Sequence, residues 1–180
     1  RGVDGRDEEA GEAPVGGGSA GEYGGLAGEL NVVADLIEAG LPTRAYGVQL
    51  GGFDTHANQG ATHAALLAEL DGALSGFLGR VADRPVTVVV YSEFGRRVRS
   101  NGSGGTDHGG AGTVLLAGNV VPGFHGEPPP LDRLDDGDLT TTVDFRAVYA
   151  ALLEGVLGTD AADILPTIPA TSAPPLALLP

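Results

Sequence analysis

The sequence contains no cysteine, no methionine and no tryptophan. Lysine is missing as well, so all 10 basic residues are arginine. Without cysteine there is no disulfide framework, no zinc ribbon and no thiolate nucleophile, and any metal must be held by His, Asp or Glu. Positive charge is scarce: 24 acidic residues leave a net charge of −14 and a pI near 4.4. That balance argues against a nucleic-acid partner, which requires a basic face. No apolar run approaches the ~18 residues of a membrane span, and no charged-then-apolar secretion signal stands at the start. Avoidance of Lys together with abundant Ala, Gly, Arg and Pro reads as the codon bias of a GC-rich genome. Because a natural chain begins with Met, the sequence is read as a processed product or a piece of a longer reading frame.

What is present is enough for one domain of ordinary size, at 180 residues. The 31 Gly and 12 Pro bring the composition close to the low-complexity range, which calls for a search for loose ends. Residues 1–25 hold Asp4, Asp7, Glu8, Glu9, Glu12 and the run Gly16-Gly17-Gly18, with almost no large apolar side chain. Such a segment cannot offset its ordering entropy by burial and is expected to be disordered. Residues 166–180, rich in Pro and Ala, are expected to lie extended along a surface.

Between these ends, over residues 26–165, helical and strand patterns alternate. Leu26–Ala39 reads as a helix with Leu30, Val33, Ile37 and Leu41 on one face and Gly40 as its stop. Arg44–Leu50 reads as a strand. Ala61–Ala82 carries the strongest helical period, through His63, Leu67, Leu70, Leu74, Phe77 and Val81. On that stripe, His63 reads as a core or supporting histidine. Val86–Tyr91 is almost wholly apolar and β-branched, as in a strand buried on both faces. Thr113–Ala117 reads as a third strand, Asp144–Leu157 as a last long helix and Ala161–Leu165 as a short one. This order predicts an α/β fold with a mostly parallel sheet flanked by helices. There is no internal repeat.

The two best strands run into the two most unusual loops, GGFDTHANQ (51–59) and SEFGRRVRSNGSGGTDHGG (92–110). In open α/β sheets, ligands bind beyond the carboxyl ends of strands, and a long loop is more often functional than not. Asp54 and His56 flank Thr55, so an extended loop points both to one side. Asp107 and His108 adjoin each other among six glycines between 102 and 112, and Glu93 follows a strand directly. Carboxylates and imidazoles from several loops are the donor set of a divalent ion such as zinc or manganese. The plainer alternative is that Asp54 caps the following helix and the histidines are ordinary loop polar groups. His125, alone in the loop after the third strand, is a weaker candidate ligand. Arg96, Arg97 and Arg99 form the only basic cluster and suit two-pronged recognition of phosphate, sulfate or carboxylate; equally, Arg96 or Arg97 could pair with local carboxylates to hold the loop. Asn101 and Ser103 add hydrogen-bonding capacity for a substrate. Asp132, Asp135, Asp136 and Asp138 around Gly137 lack the spacing of a calcium loop and read as a solvated acidic turn. There is no Walker-type loop, no GxGxxG after a strand and no GxSxG elbow, and Ser92-Glu93-Phe94-Gly95 is not one.

The strings GGFDTH (51–56), SEFGRR (92–97), NGSGGTDHG (101–109), GEPPPL (126–131) and TVDFRAVYAALLEGVLG (142–158) together resemble one family. It is the uncharacterised bacterial family termed domain of unknown function fifteen hundred and one. The resemblance spans about residues 26–165 and implies an exported parent protein, often with a twin-arginine signal, of which this chain is the C-terminal part. That family is in turn distantly similar to the alkaline phosphatase and sulfatase superfamily. The further resemblance implies the C-terminal half of an alkaline-phosphatase-like fold. Its partners would be the N-terminal half of the same protein, with an Asp and the nucleophile, and a small anionic substrate. Asp54 and His56 match the superfamily's Asp-and-His pair, though with one intervening residue in place of three. For the next element there are two alternatives. Asp107-His108 can be the Asp-His element, with His125 as the last His. Alternatively VTVVVYSEFG is the strand entering that element, Glu93 and Phe94 replace Asp and His, and His108 is the last His. The second is preferred because a strand should lead directly into the element. It keeps Asp54, His56 and His108 as ligands of one metal and loses a His of the second site at Phe94.

These readings converge on metal-dependent hydrolysis of a phosphate or sulfate ester by the parent protein. The ion (zinc, manganese or calcium) would be held by Asp54, His56 and His108 with Glu93 or Asp107 near a second, and Arg96, Arg97 and Asn101 would contact the substrate. The fragment alone is expected to be inactive. The alternative is a catalytically degenerate module of the same fold that binds an anionic ligand or partner.

Overall fold

Leu26, Leu30 and Ala34 recur at helical spacing, and in the computed structural model they form the buried face of helix α1, Gly25–Glu38. The structure describes residues 24–165 and 176–180. The expected disorder of 1–25 therefore falls outside the described residues except at Gly24 and Gly25, as does the expected tail conformation over 166–175. α1 ends where the glycine predicts. Gly40 adopts φ 73°, its N–H bonds Ile37 O at 3.0 Å, and Leu41 N–H bonds Leu36 O at 3.2 Å. This is the pair of bonds that closes a helix at a left-handed glycine.

Helix α2, Gln59–Arg80, lies against α1, and Ala73, Phe77 and Val81 complete the core with Leu26, Leu30 and Ala34. Only the C-terminal part of the predicted α2 stripe is buried: Phe77 is 4% exposed, whereas Leu67 is 46% exposed. The helices differ in length, 14 against 22 residues. At 1.5 Å per residue, α1 spans roughly 21 Å and α2 roughly 33 Å, so α1 cannot cover the first turns of α2. His63 sits on that uncovered part. It is exposed rather than a core histidine, with its ring edge-on to Phe53 at 5.8 Å. At the other end, Arg80 grips α1 through both Glu38 oxygens (3.0 and 2.8 Å), Asp35 Oδ1 (2.6 Å) and Asn31. Glu38 first, and then Asp35, hold the guanidinium even more firmly protonated than usual.

Strands β1 (Thr87–Val90) and β4 (Leu115–Gly118) pair antiparallel, with Thr87 opposite Gly118 and Val90 opposite Leu115. Strands β2 (Gly95–Ser100) and β3 (Thr106–Gly109) form a second antiparallel pair. The expected mostly parallel sheet is therefore corrected to a mixed α/β arrangement of three α-helices and two small antiparallel sheets among the described residues. The connection explains the difference. A parallel pair needs a crossover that carries the chain back along the sheet, usually a helix. Between β1 and β4 the chain instead makes the β2–β3 hairpin and returns. The expected long structureless loop at 92–110 is thus largely this hairpin. Residues 44–50 form no strand, since no strand pairs with them, although Leu50 still packs on the core. With one neighbour in place of two, β1 is half-buried along its length, not buried on both faces.

Helix α3, Phe145–Gly155, starts at Asp144, whose carboxylate accepts Arg146 N–H at 2.9 Å and also binds the Arg146 guanidinium. Arg146 pulls the Asp144 pKa down to about 2, against about 3.9 in an unfolded chain. A depressed carboxylate stabilises the fold fully above the unfolded value and loses that contribution as pH falls through the folded one. Stability should therefore drop between about pH 4 and pH 2, and Asp144→Asn should flatten part of this acid limb. Urea midpoints measured across that range for both proteins check the expectation. A short 3₁₀ turn follows at Ala161–Asp163. Near the C-terminus, Leu178 is 2% exposed and its carbonyl accepts Val121 N–H at 2.9 Å. No described helix is long and apolar enough to cross a membrane.

Candidate metal centre

The segment leading into α2 and the β2–β3 hairpin meet at three side chains. Asp54 Oδ1 lies 2.7 Å from His108 Nε2 and 3.0 Å from His56 Nε2, and the two Nε2 atoms are 3.2 Å apart. No assignment of protons makes all three contacts favourable. One proton can serve two of them, and two protons would bring N–H groups face to face. A cation resolves the conflict, because all three atoms can then present lone pairs to it. Ligands at about 2.1 Å and at right angles around an ion stand about 3.0 Å apart, so the triangle fits one face of an octahedral site. All three side chains are exposed, leaving the remaining positions open to water or a ligand.

The charges agree with that role. His108's hydrogen bond, aided by the charges of both imidazoles, holds Asp54 below the usual carboxylate range, so it is an anion at neutral pH. Asp107 stands behind His56, with Oδ1 3.5 Å from Nδ1. The Asn101 amide first, and His56 second, lower the Asp107 pKa. A carboxylate behind a histidine fixes the ring's tautomer and orientation, as in many metal sites.

Local sequence explains how the parts are held. Asn58 and Gln59 N–H, at the start of α2, bond the carbonyls of Ser103 and Gly104 at 3.1 and 3.0 Å. Thr106 Oγ1 and Gln59 Oε1 are 3.0 Å apart. Asp54 takes no part in capping: the N-cap is Asn58, left-handed at φ 47°. Gly105 is where the backbones touch, since a Cβ there would run into the carbonyl of His56. Gly105→Ala should push the two segments apart, cost on the order of 1–3 kcal/mol as overpacking does, and weaken metal binding together with stability. Thermal melts with and without zinc test both effects.

Two residues expected to contact substrate hold the site together instead. Arg96 donates to Thr106 O (2.5 Å) and Phe53 O (2.7 Å), bridging hairpin and loop through carbonyls, and its guanidinium also lies 4.0 Å from Asp54 Oδ1, so it pairs with a local carboxylate as well. Asn101 donates to His56 O and Asp107 Oδ1 and accepts from Ser103 and Gly105 N–H, which occupies all its hydrogen-bonding capacity. Phe94 is no ligand. Its ring stacks on His108 at 4.0 Å and 10°, with the Arg96 guanidinium 4.9 Å from its centre. Glu93 is exposed and outside the converging group. His125 is outside it too, with Nε2 3.0 Å from Val121 O. Of the two ligand sets compared by sequence, the structure gathers the one that ends in His108.

Sequence reasoning missed Asp138 and Gln59. Asp138 accepts Gly110 N–H at 2.7 Å, and a Cβ on Gly109 would strike its carboxylate. The only signal was the acidic turn itself, whose partner lies 28 residues away. Gln59 carried no signal at all. No curated protein and no solved structure matches the chain. A family model described as protein of unknown function (DUF1501) matches residues 33–165, most of the sequence, and the chain belongs to that family.

Proposed function

We propose that the chain provides the divalent-metal centre of a hydrolase acting on phosphate or sulfate esters. The supporting observation is the convergence of Asp54 Oδ1, His56 Nε2 and His108 Nε2 within 3.2 Å of one another. Two imidazole nitrogens and one carboxylate suit zinc or manganese. Calcium, which takes oxygen ligands, suits this set less well. When bound, such an ion stabilises charge on the transferring oxygens and lowers the pKa of a coordinated nucleophile. The chain's own residues do the positioning: Asp107 orients His56, Phe94 orients His108, and Arg96 and Asn101 fix the two segments that carry the ligands.

A second reading, binding of an anionic ligand without turnover, is favoured by Phe94, which stands where the superfamily resemblance implies a histidine. Assays of the parent protein, with the N-terminal half that the resemblance implies in place, on aryl phosphate and aryl sulfate esters in the presence of zinc or manganese separate the two. Turnover lost in His108→Ala but kept in His63→Ala supports hydrolysis. Metal binding without turnover of any such ester would favour the second reading.

A further inference from the structure

An open depression of about 570 Å³ adjoins the metal-ligand group, lined by Arg97, Arg99 and Ser100 of β2, by Asp107 of β3, and by Leu134, Asp136 and Gly137. Asp107 is the shared wall, facing this space and also lying 3.5 Å from His56 Nδ1. The hairpin's register builds it. Arg96 pairs with His108 and Ser100 with Thr106, so Arg97, Val98 and Arg99 stand opposite the single residue Asp107. Bulges of this kind re-aim side chains next to functional sites, and here both flanking arginines line the depression.

Neither guanidinium is held in a close ion pair. Arg80, Arg84 and Arg146 each have a carboxylate within ion-pair distance, whereas neither Arg97 nor Arg99 has one among the described residues. Arg97 makes a long 3.4 Å bond to the Asp136 carbonyl, and its charge also acts on the Asp107 carboxylate from beyond ion-pair distance. The Asp107 carboxylate is engaged by Asn101 and His56. In a chain of net charge −14, two guanidinium groups with no carboxylate within ion-pair distance, beside a concave space, are a recognition element for an anion. Arg96 is directed elsewhere, to Thr106 O, Phe53 O and the Asp54 carboxylate, and does not line the depression.

We propose that Arg97 and Arg99 form a second anion subsite next to the metal centre. On the hydrolase reading, on which this inference rests for its substrate class, the ester acted on carries a further phosphate, sulfate or carboxylate besides the group at the ion. Asp107, between the two, repels an anion from the space separating them and so sets their spacing.

The test uses the metal-free full chain titrated with inorganic pyrophosphate by calorimetry. Binding is expected to weaken at least about tenfold in Arg97→Ala/Arg99→Ala, as loss of charge-assisted bonds implies, and to be unchanged in His125→Ala, whose ring meets Val121 O away from the site. Arg97→Lys/Arg99→Lys, which keeps the charge and the fold, should recover part of the loss. Absence of pyrophosphate binding, equal binding by the double alanine variant, or loss of binding in His125→Ala would each overturn the subsite. A separate titration with zinc or manganese reports on the metal centre, so the subsite and the hydrolase reading fail independently.

Discussion

In His108→Ala, affinity for zinc or manganese should fall on the order of 100-fold or more. Removing a group that merely supports a ligand already costs about 10–100-fold at metal sites, and here a ligand itself is lost. The variant should nevertheless fold. His108 is 44% exposed on its side chain, and its contacts with Asp54 and His56 lie at the surface, where losing them costs little. The melting temperature of the metal-free variant should accordingly stay near that of the parent. A difference should open only on adding metal, because an ion at 100 times its Kd stabilises a folded chain by about 2.7 kcal/mol. His125→Ala is the matched control. Its ring meets Val121 O and lies outside the group, so metal-dependent stabilisation should persist. Equal metal response in His108→Ala and the parent would remove His108 from the site.

Phe77→Ala should lower the unfolding free energy by about 3–5 kcal/mol, the range for deleting a buried aromatic ring. Phe77 is 4% exposed, in the cluster that joins α1 to α2, with Leu26, Leu30 and Ala34 on one side and Ala73 and Val81 on its own. Phe77 is the only aromatic ring in that cluster, and the large side chains buried beside it are Leu26 and Leu30. Leu67→Ala, on the same predicted stripe but 46% exposed, should change stability by no more than about 0.5 kcal/mol. Urea unfolding of the two variants measures the contrast directly. Because α2 begins at the site through Asn58 and Gln59, Phe77→Ala should also loosen the Asp54–His56 segment and weaken metal binding under mildly destabilising conditions.

The helices were legible because their signals are local. The spacing of Leu26 and Leu30 and the stop at Gly40 involve residues within a few positions of one another. The sheet was not legible, since an apolar β-branched run such as Thr87–Val90 is compatible with either strand direction. Direction was set by the hairpin between β1 and β4, which glycine-rich sequence disguised as a loop. At the site, Asp54, His56 and His108 could be found from residue type and glycine context. The roles of Arg96 and Asn101 could not, because their partners, Phe53 and His56, lie 43 and 45 residues away. Arginine and asparagine read as substrate contacts in isolation. Only the fold shows that both Asn101 donors are engaged and that Arg96 is directed to backbone carbonyls.

The most direct test of the metal centre is equilibrium dialysis of the full chain against zinc and against manganese, followed by counting bound ions per chain. One ion per chain in the parent, and none in Asp54→Asn or His108→Ala at the same free concentration, is the predicted result. A parent chain that retains no ion, or variants that retain as much as the parent, would contradict it.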